Sequence, residues 1–164
     1  MKEEYIEAIS KAKSQKKYYK KLFSRLKQQS PKKLDHNFQD LHEAAFQEID
    51  CLQCANCCKT TSPIFYDRDI DRLAKHLRLK SVDFIEQYLS IDEDGDHVLK
   101  SSPCTFLGKD NRCSVYEVRP KACREYPHTN RKRMHQILDL TFKNTRVCPA
   151  VSFIVEKMSE KLKG

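Results

Sequence analysis

Four cysteines fall within eight residues, Cys51-Leu52-Gln53-Cys54-Ala55-Asn56-Cys57-Cys58, and no other feature of this chain restricts its fold so tightly. Two residues between cysteines let a tight turn aim both sulfurs at one ion, with zinc–sulfur bonds of about 2.3 Å. The run C-x2-C-x2-C is also how a bacterial ferredoxin loop wraps a four-iron cluster, whose fourth ligand is a cysteine followed by proline. Here Cys104, Cys113, Cys123 and Cys148 follow, and Cys148-Pro149 supplies that dipeptide far downstream. Eight thiols suffice for two four-sulfur sites, or for one cluster plus structural or redox cysteines. Adjacent Cys57 and Cys58 point to opposite sides of an extended backbone and would then feed two sites, whereas in a tight loop both face one cluster. Both arrangements stay open. The competing reading is plain core packing, since free cysteine is a common buried residue. It suits Cys104, Cys113, Cys123 and Cys148 taken singly better than the polar loop with Gln53, Asn56 and Lys59.

The redox compartment separates metal from disulfide. The opening MKEEYIEAISKAKSQKKYYKK has no continuous apolar stretch of the kind an export signal needs. No segment reaches the ~20 apolar residues that span a bilayer. A cytoplasmic location is therefore expected, and in a reducing compartment eight thiols point to metal. Enzyme chemistry finds little purchase. Three glycines, at 95, 108 and 164, make no phosphate-cradling loop and exclude a dinucleotide fold. If all eight cysteines hold zinc, no coordination position stays open for hydrolysis. No catalytic residue is assigned.

The net charge of +8 is uneven. Residues 1–33 hold eleven Lys/Arg against three Glu, while residues 34–164 hold twenty of each sign. The sequence accordingly divides into a basic amphipathic helical extension, 1–33, and a cysteine-cluster metal-binding domain, 34–164. In the extension, apolar Tyr5/Ile6, Ile9, Ala12, Tyr19, Leu22/Phe23 and Leu26 predict a long helix with a gap at Lys16, ended by Pro31. Its lysines, from Lys11 to Lys33, with Tyr18 and Tyr19 between them, offer a track for RNA or an acidic protein.

A second helix is predicted from Asp35, with Phe38, Leu41, His42, Ala45, Phe46 and Ile49 on one face. Further on, Pro63–Tyr66 suits a short strand, Asp67 and Ser81 open two helices, and Asp94-Gly95 turns into a strand at Val98-Leu99. CTFLGKDNRCSVY reads as a hairpin turning at Gly108. Residues 137–142 suit a strand or a short helix, and a last helix starts at Pro149. The fold class is α+β, helix-rich and irregular: a small metal-organised cysteine domain behind a long N-terminal basic helix. Asp92–Asp96 is not a calcium loop, because Pro103 stands where a bidentate Glu is required. His42 lies on an apolar stripe and reads as a core or boundary residue, and His128 is a candidate substitute ligand.

CLQCANCC, PCTFL, CSVYEVRPKACREYP and CPAV, spread over residues 49–151, resemble the YkgJ-type cysteine-cluster family, a zinc- or iron-chelating domain. The pattern C-x8-C-x2-Y-x2-R-P-x2-C-R-x-[YF]-P carries the resemblance. A related cysteine segment is similar to part of flagellin lysine methylases, which leaves an accessory subunit of a modifying enzyme as one expectation. The resemblance implies an iron–sulfur cluster or Zn2+, in one or two sites, on Cys51, Cys54, Cys57, Cys58, Cys104, Cys113, Cys123 and Cys148. The C-x2-C-x2-C run and the remote Cys-Pro favour the cluster, with redox, sensing or scaffold roles. Arg119 and Arg124, inside the signature, are expected to offset thiolate charge, and Tyr116 and Tyr126 to shield the site. Arg112 and Lys59 suit either that role or plain surface charge.

Overall fold

The apolar stripe of residues 1–33 loses phase where Lys16 occupies the position an unbroken helix would bury. The computed structural model, which describes residues 1–164, breaks the helix there. In chain order the helices are α1 (Glu3–Ser14), α2 (Lys16–Leu26), α3 (Pro31–Glu48), α4 (Asn56–Thr60), α5 (Asp67–His76), α6 (Ser81–Tyr88), α7 (Lys121–Glu125), α8 (Leu138–Asn144) and α9 (Pro149–Lys163). The strands are β1 (Leu89–Ile91) and β2 (His97–Leu99), one antiparallel pair. The architecture is helix-rich α+β, as expected. No helix is long and apolar enough to cross a membrane. The chain divides into two units: unit 1 is Met1–Cys54 with Pro127–Gly164, and unit 2 is Ala55–Tyr126.

In unit 1, the break at Gln15 lets Tyr5, Ile9 and Ala12 of α1 and Tyr19, Leu22, Phe23 and Leu26 of α2 all turn inward. The expected single helix is therefore two. Pro31 starts a helix instead of ending one. Ser30 caps α3 by accepting the Lys33 amide at 3.4 Å, and proline at the first helical position forfeits no needed hydrogen bond. Asp35, four residues inside α3, has another task. Its carboxylate accepts the Arg133 and Met134 amides, both at 2.8 Å, and fixes the left-handed turn at Arg133 (φ 62°). Residues 138–144, ambiguous in sequence, are helical, and α9 begins at Pro149 as expected. Sixteen buried apolar residues from α1, α2, α3, α8, α9 and Met134 make one core, with Leu26, Leu34, Phe38 and Ile154 fully enclosed. Each such side chain contributes roughly 1.5–3 kcal/mol.

Unit 2 has a smaller core of nine buried apolar residues centred on Phe84, with Cys104 and Cys113 packed against it. The ring of Phe84 lies 6.2 Å from Phe65, 5.1 Å from Tyr88 and 6.4 Å from Phe106. Phe65 pairs with His97 as an isolated bridge, which is all that forms of the strand expected at 63–66. The α5 start is held by Asp69, whose Oδ2 accepts the Tyr66 amide at 3.1 Å.

Candidate metal centre

The cysteine motif straddles the division of the chain, since unit 1 ends at Cys54 and unit 2 begins at Ala55. Cys51–Gln53 form one 3-10 turn, pinned by the Leu52 amide donating to Asp50 Oδ1 at 2.9 Å. Ala55 then takes a left-handed conformation (φ 49°), and α4 starts at once with Cys57 and Cys58 in its first turn.

Within unit 1 the cysteines are Cys51, Cys54 and Cys148. Cys51 is exposed and Cys54 buried, with the Cys54 Sγ 3.7 Å from the Met1 thioether. Cys148 precedes α9, where the Ala150 and Val151 amides donate to its sulfur. Burial pushes the Cys148 thiol up to about 12 against those two amides, and charge on Cys51 or Cys54 pushes the same way. The three thiols are thus electrostatic neighbours.

Within unit 2 the neighbours are Cys57, Cys58, Cys104, Cys113 and Cys123. The Cys57 thiol hydrogen-bonds Cys58 and lowers it to about 7, with help from Lys59 and against burial. Cys104 is tied to the same turn, its amide donating to the Cys58 carbonyl at 2.8 Å. Cys104 and Cys113 flank a tight reversal in which Leu107 pairs with Cys113 and the Gly108 amide donates to the Arg112 carbonyl at 2.8 Å. A β-carbon at Gly108 would lie 2.7 Å from Asp110 Oδ1 and 3.2 Å from that carbonyl, so glycine is required by close approach. Burial raises the thiols of Cys104, Cys113 and Cys123, the last to about 12. Their mutual charge adds to this: Cys58 acts on all three, and Cys104 and Cys113 both act on Cys123.

None of the eight cysteines is in a disulfide. As they lie, no three His, Cys, Asp or Glu side chains are gathered closely enough to hold an ion. The donor set nonetheless fits a soft metal, being thiols in two desolvated groups whose members repel when ionised. A further sign lies just before Cys148. Asn144 Nδ2 and Arg146 Nε are buried N–H donors with no acceptor in the structure. Unspent buried donors cost about 1–3 kcal/mol each, and metal-bound thiolate or sulfide is an acceptor that would use them.

Among the flanking residues, Arg119 lowers both Cys113 and Cys123. Its guanidinium lies 3.8 Å from the Tyr116 ring centroid and donates to the Tyr116 carbonyl at 2.6 Å. Tyr116 itself is 56% exposed. Arg124 follows Cys123 on α7, Lys59 stands beside Cys58, and Arg112 pairs with Asp110 in solvent at 3.7 Å. His42 Nδ1 bonds Thr129 Oγ1 at 2.8 Å, and burial lowers its pKa, as befits a packed histidine. His128 occupies a left-handed turn (φ 65°). Asp92 Oδ1 accepts the amides of Asp94 and Asp96, both at 2.9 Å, which makes DEDGD a turn. Tyr19 is buried with its hydroxyl donating to Glu156 at 2.6 Å, so its ring is not held out for a base, whereas Tyr18 is exposed with its hydroxyl bonded to Ser159 at 2.8 Å.

Sequence reading missed the anchor of the Cys123 segment. Buried Asp69 pairs with Arg72 at 2.6 Å and accepts the Lys121 amide at 3.1 Å. Arg72 donates to the carbonyls of Val118 and Arg119 at 3.2 and 3.0 Å. The signal was present as an Asp and an Arg three apart on one helix, but thousands of surface pairs look the same.

These observations define a class: a helical, thiol-rich protein whose cysteines form two groups suited to a soft metal. The chain belongs to the CxxCxxCC family, described as "Putative zinc- or iron-chelating domain", whose pattern matches residues 50–149. The uncharacterized protein MJ0661 of Methanocaldococcus jannaschii is 28% identical over 82 residues, which is 48% of this chain and 44% of that protein. The chain therefore spans less than half the length of this relative. No solved structure matches.

Proposed function

We propose that this chain binds metal through its cysteines, with Cys51, Cys54, Cys57, Cys58, Cys104, Cys113, Cys123 and Cys148 as the ligand pool, in the form of an iron–sulfur cluster, zinc or both. The observation that carries the reading is the desolvation of thiols that act on one another within each unit, in a family of zinc- or iron-chelating domains. When bound, zinc supplies a structural tie and an iron–sulfur cluster supplies one-electron chemistry. The chain's own part is to hold the sulfurs. Asp69 and Arg72 set the Cys123 segment, the Gly108 reversal sets Cys104 against Cys113, and the α9 amides favour the ionised Cys148 that a metal requires. Arg119 offsets charge at Cys113 and Cys123.

The test is anaerobic purification with elemental analysis and a visible spectrum. Brown protein with stoichiometric iron and sulfide is the expected result. Colourless protein with stoichiometric zinc would replace the cluster by a structural ion, and protein without bound metal would end the reading. Cys54→Ser is expected to lower metal content. A second reading, contact with RNA or an acidic protein through residues 11–33, is favoured by the exposure of Lys13, Lys16, Lys17, Lys20 and Lys21. It predicts binding that weakens steeply with salt and disappears when those five lysines are changed to glutamine.

A further inference from the structure

Resting on the second reading of the basic segment, we infer that its partner is a nucleic acid held through its phosphates, and that the loop Arg131-Lys132-Arg133, distant in sequence, completes the footprint.

The surface is assembled from several parts of unit 1. In α2, Tyr19, Leu22, Phe23 and Leu26 are buried, while Lys16, Lys17, Lys20 and Lys21 stand exposed on the opposite arc. Lysines four residues apart on a helix are separated by about 6 Å along its axis, which makes two short rows of cations. At the end of α2, Lys27 Nζ reaches Asp139 at the start of α8, at 2.8 Å. Past the turn, Lys32 and Lys33 are exposed at the start of α3. Asp35 follows them and accepts the Arg133 and Met134 amides, and Met134 is enclosed in the unit 1 core. The three exposed cations of the loop are thereby fixed at the end of unit 1 that holds the α2–α3 turn. Arg133 keeps φ 62° there, a conformation that a residue with a β-carbon holds only where its surroundings impose it.

These cations are unspent. Lys11, Lys27 and Lys157 pair with Glu156, Asp139 and Glu160, but the α2 lysines, Lys32, Lys33 and the loop triplet form no ion pair. Like charges gathered in this way repel one another, and a polyanion relieves them. The character of the surface selects among polyanions. Protein–protein contacts are built round an apolar patch, whereas nucleic-acid contacts are polar and strongly basic. Of the large apolar side chains exposed in unit 1, only Tyr18 lies on α2, and none lies on the loop or the first turn of α3. The loop arginines add planar forks that match pairs of phosphate oxygens. Phosphate contacts carry no sequence information, so binding is indifferent to base sequence.

The experiment is fluorescence anisotropy of a labelled oligouridylate with the full chain purified anaerobically, over a series of salt concentrations, with polyglutamate as competitor. Wild-type protein should bind with a steep salt slope, and polyglutamate of equal charge should compete poorly. Arg131→Gln, Lys132→Gln and Arg133→Gln combined should lower the slope by about 2, at about 0.7 per contact, and weaken binding on the order of fiftyfold at ~0.15 M salt. Two single variants each remove one negative charge, with opposite expected signs. Asp139→Asn frees Lys27 and should tighten binding about fourfold, the worth of one phosphate contact. Asp35→Asn loosens the loop and should weaken binding. The triple variant alters only exposed side chains, so it decides the footprint even where Asp35→Asn fails to fold. A triple variant that binds like wild type, beside a loss on changing the five lysines from Lys13 to Lys21, would overturn the composite footprint and leave the second reading standing. Tighter binding by Asp35→Asn would show that charge alone acts and would overturn the positioned loop. Displacement of the RNA by polyglutamate at equal charge would overturn the choice of nucleic acid and leave an acidic protein. Wild-type protein that binds neither would overturn this inference and the second reading together.

Discussion

The two units differ in what holds them. Unit 1 encloses sixteen apolar side chains and carries nineteen Lys/Arg against eleven Asp/Glu, which is the whole formal charge of +8. Unit 2 encloses nine, carries twelve of each sign, and packs two of its cysteines against its core. One is a helical core with thiols at its margin, and the other a thiol group with a small core around it. The difference teaches where metal matters to folding. A core the size of that in unit 1 organises its helices unaided, whereas the short helices and three-residue strands of unit 2 need a further tie.

Metal removal is the largest test of this contrast. Chelation under reducing conditions should leave amides of α3 and α9 protected from hydrogen exchange, while those of α5, α6 and the Cys104–Cys113 reversal exchange freely, because ligation energy in such sites is folding energy. Equal protection in both units after stripping would erase the distinction. Asp69→Ala comes next. It leaves Arg72 without its carboxylate and releases the Lys121 amide, and should cost unit 2 about 3 kcal/mol by denaturant unfolding of loaded protein, with Cys123 and Arg119 losing their anchor. A loss below about 1 kcal/mol would show that the Asp69–Arg72 network does not position that segment.

The third test uses thiol chemistry. In stripped protein Cys148 stays in a folded unit and keeps its proton up to about 12, because burial disfavours the thiolate. Alkylation of Cys148 at pH 8 should run on the order of a hundredfold slower than that of unit 2 cysteines released by unfolding, after allowing for the higher nucleophilicity of a more basic thiolate. The Cys148 rate should climb about tenfold per pH unit above 8. The linkage has a definite sign: an unfolded thiol ionises near 9 while the folded one stays neutral, so the contribution to stability is full below 9 and is lost as pH rises toward 12. Mass spectrometry of timed iodoacetamide reactions measures this. Equal rates for Cys148 and Cys123 would contradict the folded environment assigned to Cys148.

Much of this was legible in the residues. The stripe Phe38, Leu41, Ala45 announced α3 and Pro149 announced α9, because each signal is local and periodic. Pro31 reads as a terminator in sequence, which puts the start of α3 at Asp35, whereas Ser30 before it makes it an initiator. The single N-terminal helix failed at Lys16, where a gap in the stripe was visible but its consequence, a break at Gln15, depended on α8 and α9. Non-local matters were out of reach. Nothing in the spacing says that Asp69 holds the Cys123 segment, or that Cys51 and Cys54 have Cys148 as their neighbour while Cys58 has Cys104 and Cys113.

The smallest effect falls at the residue that parts the two groups. Ala55 is 6% exposed and holds φ 49°, a region that disfavours residues with a β-carbon by roughly 1–2 kcal/mol. Ala55→Gly removes that strain and adds backbone freedom to the unfolded chain, which costs roughly 0.5–1 kcal/mol, so a net gain of up to about 1 kcal/mol is expected with metal content unchanged. Ala55→Val moves the other way, because a β-branched side chain tolerates positive φ least. If the turn exists to part Cys54 from Cys57, valine should lower metal content on both sides of it, although residue 55 contributes no ligand. Thermal unfolding and metal analysis of the pair would decide the matter. A valine variant with full metal content and an unaltered melting temperature would show that the left-handed turn is incidental to the way the thiols are sorted.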